Sequence, residues 1–139
     1  MGIVYTDITL KNAEDEGAVE RGLIKEKDVR ETTVMAMVDT GSGTLAITEA
    51  LCEKLGLRII GLREATVVGG KIVCKRTSPV TIYWKDRSST CNALVVPGEG
   101  SVLLGAIPLE DMDLVVNPVK QVVEGAHGDE VLAMLMGII

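Results

Sequence analysis

Apolar and polar residues alternate along residues 3–10, the period of a half-buried strand, and a β-branched, apolar run follows at 32–38. Between them, residues 11–31 (KNAEDEGAVERGLIKEKDVRE) are charged and broken by Gly17 and Gly22, which predicts an exposed, solvated connection with room for a helical turn. Thr48 can cap a short helix over EALCEKL, with Leu51 and Leu55 one turn apart and Gly56 as its stop. Short runs at 57–60, 65–68, 71–76, 80–84 and 90–96 read as strands. Gly69-Gly70 supplies one hairpin turn among them and KDRSS (85–89) another. Residues 102–104 form a short buried strand ending at Gly105. Pro108 suits the first position of a helical turn, PLEDM, and 113–116 is a last core strand before Asn117-Pro118. Many short strands with one or two short helices predict an all-β, barrel-like domain.

Composition changes the picture of the core. The chain has 139 residues, 47% of them apolar, enough for one modest core, but there is no Phe, one Trp and two Tyr. Aliphatic side chains must therefore fill it. A net charge of −6 with 2% aromatics argues against nucleic acid as a partner. Cys52, Cys74 and Cys91 are odd in number and lack CxxC spacing, which predicts reduced thiols in the cytoplasm rather than a disulfide frame or a zinc site. No apolar run reaches ~18 residues and no signal pattern opens the chain, so no membrane partner is expected. The opening MGIVYT fits an N-myristoylation pattern at Gly2 and Thr6, yet the same residues open a strand and no polybasic patch follows.

Candidate chemistry emerges by elimination. His127, the one histidine, lies in a polar tail (GAHGDE), whereas a Ser-His-Asp or Cys-His arrangement needs it inside the domain. It reads as a surface residue. No cluster has metal-ligand spacing, and Gly41 and Gly43 lack both the dinucleotide fingerprint and a P-loop lysine, so neither a metal nor a cofactor is expected. What remains is Asp39. It stands at the end of an apolar run, Met35–Val38, with Thr40-Gly41-Ser42-Gly43 turning behind it into a second apolar run, Leu45–Ile47. Such an aspartate can simply cap its own turn. Asp-Thr-Gly alone is a common tripeptide. Its flanking runs and a later apolar-apolar-Gly element, Leu103-Leu104-Gly105, make it more specific.

These features in this order resemble the retropepsin-like aspartic proteases, and more closely their prokaryotic single-domain relatives: Val38-Asp39-Thr40-Gly41-Ser42, an aliphatic segment, a short helix ending in Leu55-Gly56-Leu57, a Gly-tipped hairpin, then LLGAIPLEDMDLVVNP. The resemblance covers residues 1–120 as a protease domain and leaves 121–139 as a C-terminal tail. It implies a closed barrel of the acid protease type and an aspartic endopeptidase that acts on peptide or protein substrates as a homodimer. Each subunit would contribute Asp39 as catalytic residue, and the two carboxylates would share a proton.

The resemblance also implies roles for the neighbours. Thr40 would hydrogen-bond across the dimer axis, Gly41 would make the tight turn, and Ser42 would donate to Asp39 and favour its ionised form. An acid-shifted activity profile follows, which Ser42→Ala would move upward. Leu103, Leu104 and Gly105 would pack beneath the active loop, and the hairpin tip at Val68, Gly69 and Gly70 would be the flap. Two departures stand out. Ala106 occupies a place where retroviral enzymes usually carry an arginine that braces the dimer, and Gly43 loosens the loop after Ser42. The tail EVLAMLMGII (130–139) is apolar enough to need cover, which either its own domain or, the favoured reading, the dimer interface could supply. A protein of this fold that binds or dimerises without cleaving, with Asp39 kept as a turn cap, is the alternative.

Overall fold

The computed structural model describes residues 2–98, 100–133 and 135. The first strand, β1 (Val4–Asn12), turns Val4, Ile8, Leu10 and Asn12 inward, as a period of two requires. Its last residue is also the N-cap of α1 (Ala13–Glu20), because the Asn12 side chain accepts from the Asp15 N–H at 3.1 Å. Asn12 donates in turn to the carbonyls of Leu55 and Gly56, at 2.8 and 3.3 Å, and is fully buried.

Residues 12–19 are thus not the solvated connection that their charge suggested, whereas 20–31 are largely exposed, as expected. Three acidic residues, Glu14, Asp15 and Glu16, sit in the first turn of α1, where the unpaired N–H groups of a helix favour negative charge. Asp15 reaches further, to the Arg30 backbone N–H and guanidinium at 2.8–3.0 Å. Arg30 holds the Asp15 carboxyl below the usual carboxylate range. A lowered carboxyl adds stability that is present above about pH 4 and fades as pH falls through the folded-state value. Asp15→Asn is therefore expected to melt lower than wild type at pH 7, the gap closing below about pH 4. A gap in melting temperature that stayed constant from neutral to acid pH would contradict this role for Asp15.

After a 3₁₀ turn at Glu26–Asp28, the chain forms β2 (Glu31–Val38), β3 (Leu45–Ile47), α2 (Glu49–Lys54), β4 (Ile59–Val67), β5 (Gly70–Trp84), β6 (Arg87–Val95), β7 (Leu103–Leu104), α3 (Ala106–Asp111), β8 (Leu114–Asn117) and β9 (Val122–Gly125). The described residues hold three α-helices where one or two short ones were expected; α1 is the addition. Thr48 caps α2 as its sequence indicated, accepting from the Leu51 N–H at 3.2 Å. α3 begins two residues before Pro108, which occupies its third position; that is still the first turn, where a missing N–H costs no helical bond.

The main sheet runs β1-β2-β7-β3-β6-β5-β4, and β5 pairs back with β1 from Asn12↔Val80 to Thr9↔Tyr83. β8 and β9 form a separate two-stranded sheet. The core between these layers is aliphatic, with Ile8, Leu10, Leu45, Ile47, Leu55, Ile82, Leu104 and Met112 fully buried. Trp84 joins it and donates its indole N–H to Thr6 at 2.9 Å. Val123 of β9 is part of the same core. Four expected strands merge into two. β4 spans the expected gap at 61–64, and β5 passes Thr77-Ser78-Pro79 through a shift in register. That irregularity lets Pro79 sit in a strand. Thr77 and Ser78 are fully buried there, and Ser78 donates its N–H to the Arg58 carbonyl at 2.8 Å. No helix among the described residues is long and apolar enough to cross a membrane.

Candidate active site

β7 is two residues long, but it positions everything around Asp39. It runs parallel to β2, with Met37 opposite Leu103 and Val38 opposite Leu104, and antiparallel to β3. The Met37 N–H donates to Val102 at 2.8 Å, and the Asp39 N–H donates to the Leu104 carbonyl at 3.0 Å. Asp39 therefore leaves β2 as the next residue of a continuing ladder. It is half-buried, not exposed at a loop tip.

The turn behind it is closed by its own carboxylate. The Ser42 N–H donates to the Asp39 carbonyl, the Gly41 N–H to Asp39 Oδ1 and the Ser42 hydroxyl to Asp39 Oδ2, all at 3.0 Å. A Cβ on Gly41 would stand 3.3 Å from Oδ1, so glycine keeps the carboxylate's place open. Thr40 is exposed at the apex and borders a separate cavity of about 280 Å³ with Gly2, Val4, Val38, Val116 and Pro118.

The far side of the loop rests on α3. The Ala106 N–H donates to Ser42 O at 2.8 Å, and the Ile107 N–H to Gly43 O at 3.1 Å. These are first-turn N–H groups that a helix cannot satisfy internally, so the loop and the helix complete each other. Ala106 contributes through its backbone alone. Gly105 lies between: a Cβ there would come within 2.4 Å of Thr44 O and 2.7 Å of Ser42 O. Leu104 is fully buried in the core, whereas Leu103 is half-buried and borders the cleft described next.

That cleft, about 460 Å³, runs from Gly41, Ser42, Gly43 and Thr44 to the β4–β5 hairpin, whose Arg63, Ala65, Val67, Ile72 and Cys74 line its opposite wall. The hairpin turns at Val68-Gly69, with Val68 fully exposed and φ of +94° at Gly69 and +143° at Gly70, angles that suit glycine. Arg63 and Ile107 line the cleft as well and were not picked out from the sequence. Reading 57–68 as two strands hid the alternation that puts Arg63 on the cleft side of β4, and Ile107 sits in the part of α3 that the Pro108 signal cut off.

Other predicted residues lie elsewhere. His127 Nδ1 is 2.6 Å from Asp113 Oδ2, and its side chain is 47% exposed, so it sits at the surface beside the turn from α3 to β8. His127 holds the Asp113 carboxyl below its usual range. Cys52, Cys74 and Cys91 are free thiols, and burial pushes Cys52 and Cys91 up. Among the described residues no group of three His, Cys, Asp or Glu could hold a metal ion. Of the apolar tail, Met134 and residues 136–139 lie outside the described residues.

A carboxylate carried on a strand end beside β7, in a loop that rests on α3 and whose residues 41–44 line a cleft opposite a hairpin, is the arrangement of a retropepsin-like fold. The protease of EIAV, solved with the inhibitor HBY-793, shares that fold with a TM-score of 0.58 at 23% identity, over 79% of this chain and 88% of that one. The aspartyl protease family model matches residues 26–107, and the chain belongs to that family. No curated protein matches it.

Proposed function

We propose that the protein is an aspartic endopeptidase active as a homodimer, with Asp39 of each subunit meeting across a two-fold axis. The single observation that carries this reading is the Asp39 loop: its carboxylate is held by Gly41 and Ser42, and its backbone by Leu104, Ala106 and Ile107. A turn cap has no need of support from two further elements, β7 and α3. Two carboxylates brought close cannot both ionise cheaply and hold one proton between them. The ionised Asp39 takes a proton from a bound water, which attacks the scissile carbonyl carbon. The protonated Asp39 gives its proton to the carbonyl oxygen. Collapse of the resulting gem-diol breaks the C–N bond: the carboxyl that took the water proton gives it to the leaving nitrogen, and the other, now ionised, takes one from a gem-diol hydroxyl, which restores the shared proton.

In this reading the β4–β5 hairpin tip, Val68-Gly69-Gly70, is the flap that closes over the peptide and excludes water. Exposed Thr40 bonds its twin across the axis, while Leu103, Leu104 and Gly105 support the loop. The sheet whose β5 pairs back with β1 serves as the barrel of the acid protease type, and the free thiols fit a cytoplasmic setting. Wild-type protein is expected to cleave a mixed peptide library between about pH 4 and 7, with specific activity rising steeply with protein concentration as dimers form. No cleavage at high concentration would overturn the reading and favour a binding module. Cleavage at a specific activity independent of dilution would overturn the dimer.

A further inference from the structure

Most of the cleft wall is apolar, with Ala46, Val67, Ile72 and Leu94 among its residues, and two charged residues border it: Arg63 and Glu64. They are neighbours on β4, so the strand's alternation sends their side chains to opposite faces. Arg63 lies across the ladder from Cys74, and Ala65 from Ile72. Cys74 is buried and Ile72 half-buried, so they mark the inward face of the hairpin; Arg63 stands on that face, at the border of the cleft and exposed to solvent. Glu64 lies opposite exposed Val73, and its carboxylate is 3.8 Å from the Lys71 ammonium.

Four of the chain's arginines have partners: Arg30 and Arg58 hold carboxylates, Arg76 holds Asn92, and Arg87 holds the carbonyls of Met112 and Asp113. Among the described residues Arg21 and Arg63 have none, and of these two only Arg63 borders the cleft. A guanidinium in that position, beside apolar walls, is a positive charge open to a ligand's carboxylate, while Glu64 is paired with Lys71.

We infer that Arg63 is a specificity-determining residue that selects peptides carrying an aspartate or glutamate beside the apolar side chains that fill the rest of the cleft. The inference rests on the endopeptidase reading and names its substrate class. A guanidinium fork matches a carboxylate with two parallel hydrogen bonds, a geometry that neither a glutamine nor a lysine in the peptide can complete.

Binding to Asp39→Asn protein tests this independently of cleavage. Fluorescent peptides of alanine, leucine and valine would carry one glutamate, glutamine or lysine, stepped through each position, with affinity read by anisotropy. At one or two positions the glutamate peptide is expected to bind about fivefold tighter than the glutamine peptide, a preference that shrinks as salt rises. Arg63→Gln in the same background should remove the preference, and Arg63→Glu should reverse it toward lysine. Equal affinities in the Arg63-containing protein, the same ratio in all three proteins, or no binding of any peptide would each overturn the inference. Failure of the wild type to cleave the library refutes the peptidase reading instead, and leaves the binding ratios readable.

Discussion

Asp39→Asn is expected to leave a folded protein that cleaves peptides roughly a thousandfold more slowly than wild type, the loss typical of removing a positioned acid or base. The two halves of this expectation come from the same hydrogen bonds. Asparagine Oδ1 can still accept from the Gly41 N–H, and its amide can donate to the Ser42 hydroxyl, which turns from donor to acceptor. The loop's backbone bonds to Leu104, Ala106 and Ile107 do not involve the side chain at all. The melting temperature should therefore move by no more than about 2 °C. What is lost is the ability to take a proton from water, which an amide lacks at any accessible pH. A variant that kept a tenth of the wild-type kcat/KM would remove Asp39 from the chemistry. One that unfolded would make it structural.

Gly105→Ala is expected to destabilise the fold and abolish activity together. The added methyl would sit 2.4 Å from Thr44 O and 2.7 Å from both Ser42 O and Thr44 N. All three are backbone atoms of the active loop, so no flexible side chain can swing aside. The loop or α3 must move, and moving either breaks the Ala106–Ser42 and Ile107–Gly43 bonds. Overpacking of this kind costs about 3 kcal/mol, or roughly 10 °C in melting temperature for a domain of this size. Thermal denaturation and peptide cleavage on the same sample check both parts. Unchanged stability would mean that the loop yields without cost, and the support assigned to α3 would fall with it.

These two residues also show how far the sequence reaches. Asp39-Thr40-Gly41-Ser42 was legible because apolar runs flank it closely, and Leu103-Leu104-Gly105 because an apolar pair before a glycine reads as a strand end. The reason for Gly105 was not legible. Its φ of −91° is ordinary, and only the approach of Thr44 and Ser42 from another part of the chain excludes a side chain. The charged stretch 11–31 is an exposed connection only from residue 20 onward, because a charge pattern reports solvation on average. It cannot show that Asp15 meets Arg30 across a turn, or that Asn12 is buried against Leu55. Strand limits failed where Gly61 and Pro79 occur. Each looks like punctuation, yet register shifts at both points carry the ladders past them. Ala106 marks the opposite case. A missing arginine suggested a lost contact, while the backbone N–H at that position supports the loop whatever the side chain.

If, as proposed, one catalytic centre needs two copies of Asp39, mixing wild type with Asp39→Asn protein will show it. Subunits would be combined at a fixed wild-type concentration high enough that specific activity has reached its plateau and dimers predominate, allowed to exchange, and assayed on a peptide the wild type cleaves. If mixed dimers are inactive, activity per wild-type subunit falls to about half at a one-to-one ratio and to about a tenth at nine-to-one. Activity that stays constant as the variant is added would mean that a single Asp39 suffices, and the shared-proton mechanism would be wrong.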